Sequence, residues 1–304
     1  MVDTRVDLCG ITLDNPIIPA SGTFGYGYEF AELYDINCPG TFSFKGTTAS
    51  PRYGNPTPRI AEAPSGMLNS VGLQNPGVEA VISEELPKLA KVFSKPVMAN
   101  VSGFSTEEYV RTASLLDSQA QVGWIELNIS CPNVHGGGAA FGTDPHTAAA
   151  VTAAVRKAVR KPLIVKLSPN VADIASIAAA CEDAGADAVS LINTVLAMRI
   201  DIKKRAPVLA NVTGGLCGSA VFPIAVRMVW QVYEAVSIPI IGMGGISSAQ
   251  DVVEMMMAGA AAVQIGSANL VDPYICRNII RQLPEVMAEY SIDVLSNITG
   301  AAHR

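Results

Sequence analysis

The sequence predicts an α/β fold: a (β/α)8 TIM barrel, one domain over residues 1–304, with inserted loops and a hairpin at its C-terminal face. Three observations carry this reading. Short β-rich runs alternate with helical patterns from end to end, and the order never breaks into a succession of strands, so the sheet is parallel with helical crossovers. Eight such runs suit a closed barrel. An open doubly wound sheet needs fewer strands and a GxGxxG after the first, which is absent.

The strand-like runs, in order, are IIPASG (17–22), TFSFKG (41–46), VMANVSG (97–103), WIELNIS (124–130), LIVKLSPN (163–170), AVSLINT (188–194), IPIIGMGG (238–245) and AVQIGS (262–267). Helical patterns fill residues 105–120, 145–160, 171–185, 222–236 and 247–259, several ending at glycine or a basic residue. Ser105 and Glu108 have the spacing of a capping box, and Ser247 or Ser248 is placed to cap the last of these helices. Two connections break the rhythm. Residues 47–72 carry four prolines and little periodicity, and MRIDIKKRAPVL within 195–214 alternates well enough for a small hairpin. Long ordered connections in one domain usually serve the site.

Composition narrows the function. Apolar residues make up 49% and charged residues 16%, enough for a large core and too apolar for disorder. The net charge of −6 comes without a basic run, which recommends neither nucleic acid nor an anionic membrane as partner. No apolar stretch has the length of a membrane span, and no leader pattern opens the chain, so a cytoplasmic protein is expected. The six cysteines, Cys9, Cys38, Cys131, Cys181, Cys217 and Cys276, form no CxxC and suit neither a zinc site nor an iron–sulfur cluster. No metal is expected on this chain.

Barrel active sites lie at the C-terminal ends of the strands. Those ends carry Ser21 and Gly22, Lys45 and Gly46, Asn100, Asn128 with Cys131 and Asn133, Lys166 with Ser168, Asn193 and Thr194, Gly244 and Gly245, and Gly266 with Ser267. A solvated rim accounts for polar ends in general. It does not account for a lysine inside each of the apolar runs FSFKG and LIVKLSP. A buried ammonium requires an anion or dense hydrogen bonding, so both lysines are expected to contact a ligand. Glycines in GMGGI and IGSANL allow backbone N–H groups to approach phosphate oxygens, and GGLCGS (214–219) offers a third arm. A mononucleotide cofactor or a phosphorylated substrate follows.

Cys131 stands in NISCPNVHGGG (128–138), where a thiol gains nothing by packing. Cys181, inside a helical pattern, reads as core. Cys131 instead follows the fourth run, with Pro132 fixing the turn and a glycine-rich stretch resembling a hinged lid after it. The thiol can serve as nucleophile or as general base. His135 reads as solvent-facing, so no triad is implied. A thiol with a pKa near 8.5 can take a proton from a weakly acidic carbon, and flanking asparagines can both donate to and accept from a cyclic amide or imide.

NISCPNVHGGGAAFGTDP, with ASGTFGYGYEF, SFKGTT, MLNSVGLQNPG, VKLSPN, LINT, GMGGI and IGSANL in this order, resembles the class 1 dihydroorotate dehydrogenases over nearly the whole chain. The GTFGYGYEF and GLQNPG stretches and the glycine-rich segment after SCPN are most similar to the NAD-linked class 1B catalytic subunits. Class 2 enzymes, with an extra N-terminal segment and a serine base, resemble it less.

The resemblance implies FMN in the barrel mouth and oxidation of (S)-dihydroorotate to orotate in pyrimidine biosynthesis. Carried over by motif, Cys131 is the base that takes the C5 proton while hydride leaves C6 for flavin N5. Lys45, Asn69, Ser70, Val71, Gly72, Leu73, Asn128, Asn133, Asn193 and Thr194 are implied to hold the substrate. Ser21, Lys45, Gly46, Asn100, Asn128, Lys166 and Ile192 are implied to line the flavin and its ribityl chain, with Lys166 stabilising negative charge on the reduced ring. Gly218, Gly244, Gly245, Gly266 and Ser267 are implied to hold the phosphate. FAD and a [2Fe–2S] cluster are implied on a partner electron-transfer subunit that meets NAD, in a heterotetramer built on a homodimer of this chain. Three alternatives stay open here: a class 1A homodimer using fumarate, a phosphate-binding barrel with non-redox chemistry, and a non-catalytic binding module.

Overall fold

Seven of the eight expected runs form one parallel sheet in the computed structural model, which describes residues 2–130 and 141–303. Hydrogen-bonded neighbours run Ile17–Pro19, Ala262–Ile265, Ile240–Met243, Ala188–Leu191, Leu163–Lys166, Val122–Asn128 and Val97–Val101. Nearly every residue of these strands is buried, as in a sheet covered on both faces. Each stops two to four residues before the end of the predicted run. There the polar residues leave the ladder and become available to the site.

The eighth run, 41–46, is not a regular strand, although its backbone reaches both edges of the sheet. Gly40 N–H donates to Ile17 O at 3.1 Å and Ser43 N–H to Pro19 O at 3.0 Å. On the other side Met98 N–H donates to Phe42 O at 3.0 Å, Phe44 N–H to Met98 O at 3.1 Å and Thr47 N–H to Asn100 O at 2.9 Å. The ladder is interrupted because Lys45 N–H turns aside to Gly25 O at 3.0 Å.

The helices cover the sheet through apolar stripes at i, i+3, i+4 and i+7. Thr106–Asp117 buries Tyr109, Thr112, Ala113 and Leu116; Ile174–Asp183 buries Ile174, Ile177, Ala178 and Cys181; Phe222–Tyr233 buries Ala225, Met228, Val229 and Val232. Ser105 Oγ accepts from Glu108 N–H at 3.3 Å, and Ser248 forms a complete capping box with Asp251. Cys181 lies in the core, as its helical setting predicts. A further helix, Ile275–Glu289, is not among the predicted ones; it packs against the strand Ile17–Pro19 and the helix Ala249–Met257.

Both long connections are ordered differently from a plain loop. Ile60–Ala63 and Gly66–Asn69 pair as a hairpin, and with Val195–Ala197 and Gly214–Cys217 they make a four-stranded antiparallel sheet. Residues 47–72 hid this because Gly66–Asn69 takes its second partner some 150 positions away, as in the Leu216 pairing with Leu68. The expected small hairpin is present as Ile200–Asp201 with Ala206–Pro207. At the opposite end of the parallel sheet, the hairpin Val6–Leu8 with Ile11–Leu13 packs under the strands, where Trp124 Nε1–H donates to Leu8 O at 3.1 Å.

Candidate active site

Inside the parallel sheet, amid buried Val, Ile and Leu, there is a polar layer centred on Glu126. The Glu126 carboxylate is fully buried and accepts four hydrogen bonds. Ser43 Oγ (2.8 Å) and Asn100 Nδ2 (2.6 Å) donate to one oxygen; Ser190 Oγ (2.9 Å) and Gln264 Nε2 (2.6 Å) donate to the other. Burial alone would raise the acid's pKa. The positive charge of Lys166 and these donors outweigh burial and hold the carboxyl below its ordinary range. Lys166, 5% exposed, thus has an internal counter-charge, though no ion pair within 4 Å joins it to any described residue.

From this layer a chain of amides and hydroxyls climbs past the strand ends. Asn128 Nδ2 faces Asn100 Oδ1 at 3.5 Å, Ser130 Oγ donates to Asn128 Oδ1 at 2.7 Å, and Asn193 Nδ2 donates to Ser130 Oγ at 2.6 Å. Asn193 Oδ1 accepts from Thr194 N–H at 2.8 Å, while Asn170 Nδ2 holds Thr194 O at 3.0 Å. Tyr109 Oη–H donates to Asn128 O at 2.8 Å and ties this strand end to its covering helix. Asn100, Asn128, Asn193 and Thr194, chosen from strand ends in the sequence, therefore form one network.

The other expected residues converge on it. A Cβ on Gly46 would stand 2.8 Å from Asn100 Oδ1, 3.4 Å from Ser102 Oγ and 3.6 Å from Leu73 Cδ2, so flavin-side and substrate-side candidates adjoin. The segment Asn69, Ser70, Val71, Gly72 and Leu73 is drawn over by Asn75, whose Nδ2 donates to Leu73 O (2.7 Å) and Thr48 Oγ1 (2.8 Å). Leu73 adopts φ +58°, a conformation costly for a side chain with a branched γ carbon and often retained at binding sites. Asn69 Nδ2 reaches Gly215 O at 3.5 Å, and Thr194 lies against Gly215. Lys45 is half-buried, its Nζ 4.0 Å from a Cβ placed on Gly22, beside Ser21, and it lines a cavity of about 550 Å³ with Arg52, Gln74 and Asn75.

The expected phosphate arms also meet. Gly244 and Gly245 have φ of +124° and +77°, and Gly218 has φ +112°. A Cβ on Gly245 would stand 2.9 Å from Gly218 O and 2.7 Å from Phe222 N, while one on Gly244 would meet Ile192 Cγ1 at 3.1 Å. Around Gly266 the space is open, Ala20 Cβ at 3.9 Å being the nearest neighbour of an added Cβ. Ser267 is close enough to Cys217 to hydrogen-bond its thiol. GGLCGS is not wholly a loop, however: its first four residues pair as a strand, which leaves Gly218 to turn toward the glycines.

Cys131 and Asn133 lie outside the described residues, as do His135 and the three glycines after it. The five remaining cysteines are all held in thiol form by burial: Cys9 is pushed up to about 12 and Cys181 to about 11, with Cys38, Cys217 and Cys276 also raised. The sequence reading missed Glu126, Ser102 and Gln264. Glu126 carries the same signal that singled out the lysines, a charge inside the apolar run WIELNIS.

The family model described as Dihydroorotate dehydrogenase matches residues 4–287. The chain belongs to the dihydroorotate dehydrogenase family. The protein of Anoxybacillus flavithermus named dihydroorotate dehydrogenase B (NAD(+)), catalytic subunit, is 55% identical over 295 residues, 97% of this chain and 94% of that one. Its namesake from a Geobacillus species is likewise 55% identical over 295 residues, with 97% and 94% covered. That of Halalkalibacterium halodurans is 54% identical over 297 residues, 98% of this chain and 97% of the relative. As a dihydroorotate dehydrogenase family member of this similarity, the chain is an oxidoreductase.

Do the residues fit the FMN that the family implies? Ser102 Oγ is buried without a hydrogen-bond partner among the described residues, and it adjoins Gly46 and Asn100. The open space at Gly266 and the positive-φ turns at Gly218, Gly244 and Gly245, which carry no side chain, suit the close backbone approach a phosphate needs. Lys166 and the amides supply cation and donors for a polar ring edge. The residues fit.

Proposed function

We propose that this chain oxidises (S)-dihydroorotate to orotate, a step of pyrimidine biosynthesis, as the FMN-bearing subunit of an NAD-linked enzyme. The observation that carries the reading is the ordered donor network from Asn193 to Glu126, set in a chain 55% identical to a protein named as that catalytic subunit. On this reading the segment 40–47 is the eighth member of a closed (β/α)8 barrel, the four-stranded sheet stands over its C-terminal face, and residues 1–304 are a single domain.

Each group on the chain then has a task. Lys45 and the amides of Asn69, Asn128, Asn133 and Asn193, with Thr194, hold the carboxylate and ring amides of the substrate, and Ser70, Val71, Gly72 and Leu73 complete the wall around it. Cys131 takes the proton from C5, which a thiol manages once its pKa lies near the working pH. Ser21, Lys45, Gly46, Asn100, Asn128, Lys166 and Ile192 hold the flavin, and Gly218, Gly244, Gly245, Gly266 and Ser267 its phosphate. Bound FMN supplies the hydride acceptor for C6. A [2Fe–2S] cluster and FAD on a partner subunit would carry the electrons on to NAD, in a heterotetramer around a homodimer of this chain. Exposed apolar side chains on the inserted strands, among them Leu196, Met198, Ile200 and Ile202, suit burial by another chain. No helix among the described residues is long and apolar enough to cross a membrane, and a cytoplasmic location is part of the proposal.

The test is electron-acceptor dependence. The purified chain with dihydroorotate should reduce NAD only when an iron–sulfur flavoprotein partner is added. Efficient turnover of fumarate by the chain alone would defeat the NAD-linked reading.

A further inference from the structure

Glu126 has no part in the chemistry described above, yet it is the most heavily hydrogen-bonded side chain in the sheet interior. A carboxylate can only accept, so each of its four neighbours must turn a donor inward. Ser43 and Ser190 can rotate to comply. Asn100 has no such freedom: its Nδ2 must face Glu126 at 2.6 Å, and its Oδ1 must therefore face Asn128 Nδ2 and the space beside Gly46. A reversed Asn100 would set two NH2 groups against each other.

The order continues upward. Asn128 Oδ1 accepts from Ser130 Oγ–H and, at 3.3 Å, from Ser130 N–H; Asn193 Nδ2 donates on to Ser130 Oγ. Donation thus runs from the mouth down to one buried anion. Asn128 and Asn193 each spend one amide hydrogen inward and keep a second unspent among the described residues. The mouth is left rich in donors, which matches a ligand bearing two ring carbonyls and a carboxylate. Lys166 pairs with Asn128, two residues along the same strand from Glu126 and so on the same face, which makes this anion an internal counter-charge for it.

We infer that Glu126 is a positioning residue of this site: it fixes the amide of Asn100 and balances the charge of Lys166, and so sets both the donor pattern offered to substrate and the charge felt by the cofactor. The inference rests on the proposed function. It assigns to Glu126 no contact with substrate or cofactor.

Glu126→Gln and Glu126→Asp separate charge from geometry. With FMN bound, Glu126→Gln leaves Lys166 unbalanced and should raise the FMN midpoint potential, because added positive charge favours the reduced ring. It should also weaken orotate binding, read from the flavin spectrum, at least tenfold. Glu126→Asp keeps the charge but is one methylene short of its four donors. It should hold the potential near the wild-type value while still weakening orotate. A purely structural role would leave both readouts unchanged in any variant that retains FMN. Glu126→Gln with wild-type potential and wild-type orotate affinity therefore overturns the inference.

Should the variants not fold, neutron diffraction from wild-type crystals decides. The account requires an unprotonated Glu126 with deuterium on Asn100 Nδ2 directed at it; a protonated carboxyl or a reversed Asn100 overturns it. A wild-type chain that binds no FMN would instead sink the functional reading, and the neutron result would still stand or fall by itself.

Discussion

At the scale of single residues, the chemistry depends on which groups are ionised. Five of the six thiols are locked in neutral form by burial, so near pH 8 little thiolate exists at Cys9, Cys38, Cys181, Cys217 or Cys276. Iodoacetamide at that pH should modify Cys131 first, as mapped by peptide mass spectrometry; earlier labelling of a buried thiol would contradict the assignment of Cys131 as the reactive one. Glu126 makes a second prediction. Its carboxyl is depressed in the folded chain, so its ionisation stabilises the fold fully above the unfolded value, 4.5, and that stability is lost as pH falls through the lower folded value. Urea midpoints should accordingly hold steady above about pH 5 and fall in more acid solution, with a shallower acid decline in Glu126→Gln. The sequence disclosed Lys45, Lys166 and the asparagines because charges and amides inside apolar runs demand partners. It did not disclose who the partners were, since Ser43, Asn100, Ser190 and Gln264 come from four separate runs and meet Glu126 only in three dimensions.

Elements were legible where local rules decide them. Helices with stripes at i, i+3, i+4 and i+7 and a polar cap form where expected, and Ser248 is the clearest case, with its capping box to Asp251. Ser248→Ala should cost about 1 kcal/mol, read as a lower urea midpoint with an unchanged slope. No change would mean that packing of Val252, Val253, Met255 and Met256 alone holds this helix. Elements decided by distant pairing were not legible. The strand Gly66–Asn69 takes its second partner from Gly214–Cys217, and the segment 41–46 lost its regular ladder to the Lys45 bond with Gly25. Those stretches bring Gly46, next to Lys45, and Leu73 beside Asn100.

For the whole molecule, the division of labour is spatial. Apolar packing and the plug around Trp124 and Leu8 stabilise one end of the sheet, and the other end is given to donors, glycine turns and the inserted antiparallel sheet. Burying a polar layer beneath a binding mouth sacrifices apolar contact. It remains stable because each oxygen of Glu126 is doubly satisfied. The central claim is that this mouth passes hydride from dihydroorotate to FMN while Cys131 removes the neighbouring proton. The most direct measurement is anaerobic mixing of the FMN-loaded protein with dihydroorotate, followed by flavin absorbance, for wild type and Cys131→Ala. The account predicts rapid bleaching of the wild type, and bleaching slowed by about 100-fold or more in a Cys131→Ala protein that still holds its FMN. A wild-type protein that is not bleached, or a Cys131→Ala protein bleached as fast as wild type, would contradict it.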